Sequence, residues 1–269
     1  MIARHIIGGL LKKVPGGRSR ISPDKITVVD PDPTTHTFYQ QLQVPMTLTE
    51  GPPIWTVQAI VVLAVKPDAF EKAVARVNTD QSVISVMAGV DTRRLRNALP
   101  QARYIVRAMP NLCSISQVGT TAWFGNKLTT EEETMVTSFL ELFGTAIQVP
   151  NEEALTTASA LCGSGPAYAA RLAGALIDAG VRHGLSRKLA TQLVYSTMAG
   201  TIEYLTDQKV HPRILAENVT SPGGITSKAL LALDKGRFDA TIHEAVTAAV
   251  TPILGNNPNE TRAYKLFPS

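Results

Sequence analysis

The sequence predicts an α/β N-terminal domain on a doubly wound, parallel-type sheet, followed by an all-α C-terminal domain. Three observations carry this. Up to about Pro150, short β-branched runs alternate with helical stretches, the pattern of strands joined by helices. The run Ile60-Val61-Val62-Leu63-Ala64-Val65 is apolar at every position, which suits a parallel strand covered on both faces. After Asn151 no strand pattern returns. At 269 residues the chain has length for two such bodies, expected at residues 1–150 and 151–269.

Met1 to Leu11 reads as an amphipathic helix with no strand ahead of it, and Ile26–Val29 as a short strand ending in Asp30. In a dinucleotide-binding βαβ unit such an acid sits at the tip of the second strand, about twenty residues after a glycine-rich loop. The second strand and its acid are present here, and the preceding strand and loop are not. A Rossmann-type half truncated at its first strand is therefore expected, incomplete where a pyrophosphate would sit. Further strands are expected at Ala59–Val65, Ser82–Val86, Tyr104–Ala108 and Gly119–Phe124, with a last one at Ala146–Val149. Helices fall between them at Ala69–Arg76, Thr92–Ala98 and Thr130–Phe143, the last with an acidic first turn. The second half reads as helices Glu152–Leu161, Pro166–Val181, Arg187–Thr206, His211–Asn218, Ile225–Lys235 and Phe238–Leu254. Ala, Gly and Leu dominate Ala167–Gly184, so neighbouring helices can approach closely and find further burial in a partner subunit.

Composition narrows the class. Hydrophobic residues are 44% and charged residues 18%, ordinary for a soluble globular protein, and the net charge is only +4. The densest basic stretch, Arg93-Arg94-Leu95-Arg96, is a short helix face, too sparse for nucleic acid. Cys113 and Cys162 stand far apart, so neither a disulfide framework nor a zinc site is expected, and the five histidines show no metal spacing. No apolar run is long enough for a membrane span. A reducing compartment, the cytoplasm, follows as the expected location. Arg4, His5, Lys12 and Lys13 precede the first acid, Asp24, which also resembles a mitochondrial presequence.

Four motifs carry chemistry. Leu63-Ala64-Val65-Lys66-Pro67 ends a buried strand where open α/β sheets face their ligand, and Lys66 there can hold a phosphate or ribose or be a plain surface lysine. Met87-Ala88-Gly89-Val90 ends the next strand in small residues suited to a flat ring or to an ordinary tight turn. In Arg107-Ala108-Met109-Pro110-Asn111 the proline forces a turn, and Asn111 offers its amide to a ligand or caps that turn. The sharpest signal is Asn218-Val219-Thr220-Ser221-Pro222-Gly223-Gly224-Ile225-Thr226. Its glycines bare backbone amides at a helix start beside hydroxyls, a ready carboxylate site, and Thr226 can reach a substrate nitrogen. At Cys162-Gly163-Ser164-Gly165-Pro166, Ser164 reads as a helix cap and not as a nucleophile, and His211 before Pro212 as a helix-start residue. No acid–base pair or triad stands out, so a cofactor is expected to carry the chemistry.

In order along the chain, Ile6-Ile7-Gly8-Gly9-Leu10, Ala64-Val65-Lys66-Pro67, Ala88-Gly89-Val90, Arg107–Asn111, Gly163–Tyr168, His211-Pro212 and Ser221–Gly224 resemble the pyrroline-5-carboxylate reductases. The resemblance implies a Rossmann-type domain and a helical domain that dimerises with its twin. It implies hydride transfer from NADPH or NADH to the C=N bond of 1-pyrroline-5-carboxylate, giving L-proline, the last step of proline synthesis. By similarity Ala64, Val65, Lys66, Pro67 and Ala88 line the cofactor, with Asn218 reaching it from the helical domain and Asp30 at the ribose. Ser221, Gly223, Gly224, Ile225 and Thr226 match the substrate loop, with Thr226 facing the ring nitrogen. The implied partners are the small substrate and a second copy, as a homodimer or a higher oligomer, with no nucleic acid and no membrane.

The sequence departs from the family in three places. The first strand and glycine loop do not occur ahead of Met1, so the chain is expected to dimerise yet bind NAD(P)H weakly, and an added strand and loop to restore binding. Leu112-Cys113 stand where the family has Thr-Pro, and Gln40–Ala59 is short with an unusual Gly51-Pro52-Pro53. Asp30 would repel a 2′-phosphate, with Lys25 as a compensating charge, so a few-fold preference for NADH is expected. The alternatives are a reductase of the same plan acting on another cyclic imine or a 3-hydroxy acid, and a non-catalytic paralogue that binds proline-like ligands as a helical dimer.

Overall fold

The computed structural model describes residues 2–13, 20–30, 32–47, 59–77 and 80–251. By internal contacts the chain forms two units, residues 1–166 with 250–269, and residues 167–249. The expected tail from Gly255 and the Gly51-Pro52-Pro53 stretch lie outside the described residues.

The first unit opens on α1 (Ile2–Leu11), followed by β1 (Val28–Val29), α2 (His36–Gln41) and β2 (Met46–Thr47). β1 and β2 pair in parallel as a sheet of their own, Val28 opposite Met46. The main sheet has five strands in the order β3 (Ile60–Leu63), β4 (Ser82–Ser85), β5 (Ile105–Met109), β6 (Gly119–Gly125) and β7 (Gly144–Gln148). Helices α3 (Phe70–Val74), α4 (Thr92–Ala98) and α5 (Thr130–Glu141) make its parallel crossovers. β6 alone runs antiparallel, to β5. The link between them holds only the 3-10 turn Leu112–Ser116, too short to carry the chain back for a parallel strand.

Alternate residues of the strands feed two cores. Val83 and Ile105 join Val61, Leu63, Phe70, Met87, Leu95 and Leu99 on one face. Ile84 and Val106 join Ile6, Leu10, Trp123, Val136, Leu140 and Phe143 on the other. Both faces are covered, as the all-apolar runs require. α1 belongs to two cores at once: Ile6 and Leu10 pack on the main sheet, whereas Ile7 and Leu11 pack beside Val28 and Tyr39. Its contact with the main unit is a backbone approach, since a Cβ on Gly9 would overlap the Ser114 carbonyl oxygen. Gln117 Nε2 then donates to the carbonyls of Gly9 at 2.8 Å and Lys12 at 3.2 Å, satisfying the helix end. The acidic start of α5 is a capping box, Thr129 exchanging bonds with Glu132.

Past β7, α6 (Glu152–Ala158) continues through a π turn (Ser159–Gly163) into α7 (Gly165–Arg182). α7 starts where the Gly163–Pro166 run implied, one residue after the bend at Ser164, but the backbone runs into it from the π turn and not from an extended cap. Ser164 is helical at φ −86°, ψ −20° and its N–H bonds back to Ser159, so it caps no new helix. The wider π turn takes in Gly163, and a single bend at Ser164 separates it from α7.

The second unit holds α7, α8 (Arg187–Gln208), α9 (Pro212–Asn218), α10 (Ile225–Lys235) and most of α11 (Phe238–Val250). Among its residues only Ala173, Ile177 and Ala190 are buried. Leu172, Leu176, Leu189, Leu193, Tyr195 and Ile202 are exposed. No helix among the described residues is long and apolar enough to cross a membrane.

Candidate active site

Because β3, β4 and β5 are parallel neighbours, their carboxyl ends share one edge of the sheet. Ala64 and Val65 are half-buried there, and Lys66 is exposed with its carbonyl accepting from Ala69 N–H at 3.0 Å across the turn that Pro67 begins. Val86 N–H donates to Leu63 O at 3.0 Å, carrying the strand pairing to the next end. Ala88 and Gly89 follow, both exposed, Gly89 at φ +72° with open space where a Cβ would stand. The edge thus offers a lysine without an ion pair among the described residues and a bare backbone turn beside it.

Asn111, at the third end, is committed. Its Oδ1 accepts from Cys113 N–H at 3.0 Å and its Nδ2 donates to Cys162 O at 3.0 Å. Of the two readings the sequence leaves open, the structure gives the turn cap. Burial pushes the Cys162 thiol up from its ordinary value, and its Sγ lies 3.6 Å from Met109 O.

Behind this edge sits a charge pair that sequence reasoning missed. Arg107, 4% exposed on β5, pairs with Glu152 at the first turn of α6. The other Glu152 oxygen accepts from Thr92 N–H at 2.8 Å, at the start of α4. Arg107 Nε has no partner among the described residues. The available signal was a lone charge inside an otherwise apolar strand, which needs a partner wherever it is buried.

Asp30 follows β1, as expected. Its Oδ1 accepts from Asp32 N–H at 3.0 Å, and Asp32 in turn accepts from the Thr34 N–H and hydroxyl, which holds the Asp32 carboxyl below its usual range. Burial first, then the Asp30 charge, push the Tyr39 hydroxyl up. Lys25 precedes β1 and Asp30 follows it, so Lys25 stands at the wrong end of the strand to compensate. The Arg4 guanidinium lies 5.4 Å from the centre of the Phe38 ring, and its charge adds to the Thr34 bonds in holding the Asp32 carboxyl down and offsets part of the rise at Tyr39.

The remaining candidates lie in the helical unit. His211 caps α9 through Nδ1, which accepts from Arg213 N–H at 3.2 Å, as its place before Pro212 implied. Asn218 ends α9 and is exposed. Gly223 takes φ +70° and Gly224 N–H donates to Ser221 O at 3.0 Å, closing the turn into α10. A Cβ on Gly224 would overlap the Ser221 hydroxyl. No side chain caps α10, so the N–H groups of Ile225, Thr226 and Ser227 have no partner among the described residues. Among the described residues the half-buried Thr226 hydroxyl bonds to no other group, and Ile225 is 90% exposed. Ser221 to Thr226 thus form one compact turn, while Asp30 and the Ala64–Pro67 and Ala88 set belong to the other unit. No group of metal-ligating residues occurs among the described ones.

Residues 152–253 match the pyrroline-5-carboxylate reductase dimerisation family. The pyrroline-5-carboxylate reductase of Synechocystis is 32% identical over 232 residues, 85% of this chain and 86% of that one. The Haemophilus influenzae pyrroline-5-carboxylate reductase is 31% identical over 257 residues, 93% of this chain and 92% of that one. The solved pyrroline-5-carboxylate reductase of Coxiella burnetii superposes with a TM-score of 0.80 at 30% identity, covering 94% of this chain and 93% of its own. The Plasmodium falciparum pyrroline carboxylate reductase with NADP bound superposes at 0.77 with 25% identity, covering 93% and 94%.

Proposed function

Because this chain belongs to the pyrroline-5-carboxylate reductase family, we propose that it reduces 1-pyrroline-5-carboxylate to L-proline with NADPH or NADH through the residues placed above. The observation that carries the site assignment is the uncapped start of α10, where unpaired N–H groups stand beside an unbonded hydroxyl. A carboxylate is the natural ligand of such a helix start, and the substrate carries one next to its imine nitrogen.

The bound reduced nicotinamide supplies the hydride. The chain's part is positioning and charge. Ser221, Gly223, Gly224 and Ile225 hold the substrate carboxylate through backbone amides and the serine hydroxyl, and the Thr226 hydroxyl oxygen accepts from the N–H of the protonated ring nitrogen, which favours the protonated imine. A protonated imine is already an electrophile, so fixing its place and orientation does most of the work.

The sheet edge fits the cofactor by its donor set and its bare turn. Lys66 and Pro67, with Ala64 and Val65 behind them, hold its phosphate and ribose side, Ala88 admits a flat ring, and Asp30 accepts from the ribose. Asn218 is the contact from the helical half. Functionally, residues 1–150 bind cofactor, and residues 151–269 bind substrate and form the homodimer. The exposed apolar faces of α7 and α8 support that dimer. The two free cysteines suit a reducing compartment, the cytoplasm or a mitochondrion.

Purified protein mixed with 1-pyrroline-5-carboxylate and NADPH or NADH is expected to consume the reduced cofactor and release proline in equal amounts. Cofactor consumption without proline, or neither, would refute the proposal.

A further inference from the structure

The end of β1 holds a charge arrangement that hydride transfer itself does not need. Asp30 gives Oδ1 to the Asp32 N–H, which leaves Oδ2 without a partner among the described residues. Asp32 Oδ1 accepts from the Thr34 N–H and hydroxyl, and the Arg4 charge also acts on this carboxyl. His36 Nε2 lies 3.3 Å from the Asp30 carbonyl and tightens the same loop. The Arg4 guanidinium of α1 lies over Phe38, 5.4 Å from the ring centre, and its charge acts on the Asp32 carboxyl and on the Tyr39 hydroxyl, where the Asp30 charge acts too.

An acid alone at this strand tip accepts a ribose 2′-hydroxyl and repels a 2′-phosphate. A guanidinium does the reverse, because its planar fork of donors matches a phosphate. Here the Asp30 and Arg4 charges both act on Tyr39, in opposite directions. We propose that Arg4 is a specificity-determining residue, the side chain that binds a phosphate on the adenosine 2′-oxygen beside the Asp30 carboxylate. The two opposed charges let the site take either cofactor, with a preference of only a few-fold. The inference rests on the reductase reading, since it takes the nicotinamide cofactor as given.

The test compares wild type with Arg4→Ala, by kcat/KM with NADPH and NADH and by calorimetric binding of 2′,5′-ADP and 5′-ADP. The variant is expected to lose about tenfold or more with NADPH and with 2′,5′-ADP, and less than about threefold with NADH and 5′-ADP. Arg4→Lys, which keeps a point charge, recovers part of the loss. Equal losses for both cofactors, or none for either, overturn the inference. Should the alanine variant melt early, Arg4→Gln keeps the stem over Phe38 and carries the same comparison. A wild type that reduces no 1-pyrroline-5-carboxylate overturns the reductase reading instead, and the two adenosine phosphates still decide the role of Arg4.

Discussion

The Thr226 hydroxyl stands at the second position of α10, half-buried and free of other bonds among the described residues. Thr226→Ala is expected to lower kcat/KM about ten- to a hundredfold, the roughly 1–3 kcal/mol of a lost bond to a substrate nitrogen, with cofactor affinity unchanged. Steady-state kinetics beside a cofactor titration check this, and a variant that turns over like wild type reduces Thr226 to a helix-start residue. Cys162 behaves differently from an open thiol. Its burial favours the neutral form, so at neutral pH it is expected to react with iodoacetamide more slowly than a small free thiol, speeding up as pH rises. Mass spectrometry of the labelled peptides over a pH series reads the effect. At this scale the sequence was legible where partners are local: His211 caps a helix two residues on, and Asp30 lies where a short β-branched run ends. Asn111 was ambiguous because one of its partners is Cys162, 51 residues away. Arg4 was read only as part of a basic leader, since nothing local tells that its stem meets Phe38.

Among the elements, the bond set around Glu152 fixes three starts and strands together. It pairs with Arg107 in β5, receives Thr92 N–H of α4 and begins α6 itself. Glu152→Ala leaves the buried Arg107 charge unmatched, a loss of about 3–5 kcal/mol. A lower Tm by calorimetry, with Glu152→Gln falling in between, is the expected outcome; a variant as stable as wild type would mean that water or Arg107 itself relaxes the site. Periodicity found every helix of the second half, and Thr92–Ala98 and Ile225–Lys235 to the residue. It did not show the π turn, because a Gly-Ser-Gly-Pro run looks like a helix start whether or not the spiral continues behind it. Nor could it show that β6 reverses, since strand direction depends on the length and shape of the Leu112–Ser116 link.

At the level of the whole molecule, strand and helix periods separate near residue 150, whereas the contacts divide the chain after Pro166 and return Val250 onward to the first unit, because α6 and the π turn pack with the sheet-bearing unit. Sheet order was not legible, being set by which crossovers the chain can reach. The sparse interior of the helical unit, with Ala173, Ile177 and Ala190 alone buried, cannot supply what a body of that length needs to stay folded. Tm is therefore expected to rise by several degrees with each tenfold rise in protein concentration, through mass action on the dimer. Scanning calorimetry over a dilution series checks this, and a Tm independent of concentration would show that α7 and α8 hold without a second copy. In a living cell the same bare helices turn abundance into a threshold. On the proposed dimer, newly made chains that have not yet met one another present their apolar faces to proteases and chaperones, and pairing would hide them. Doubling synthesis should then more than double the standing pool, and a weakly expressed copy should be cleared faster than its sequence alone would suggest.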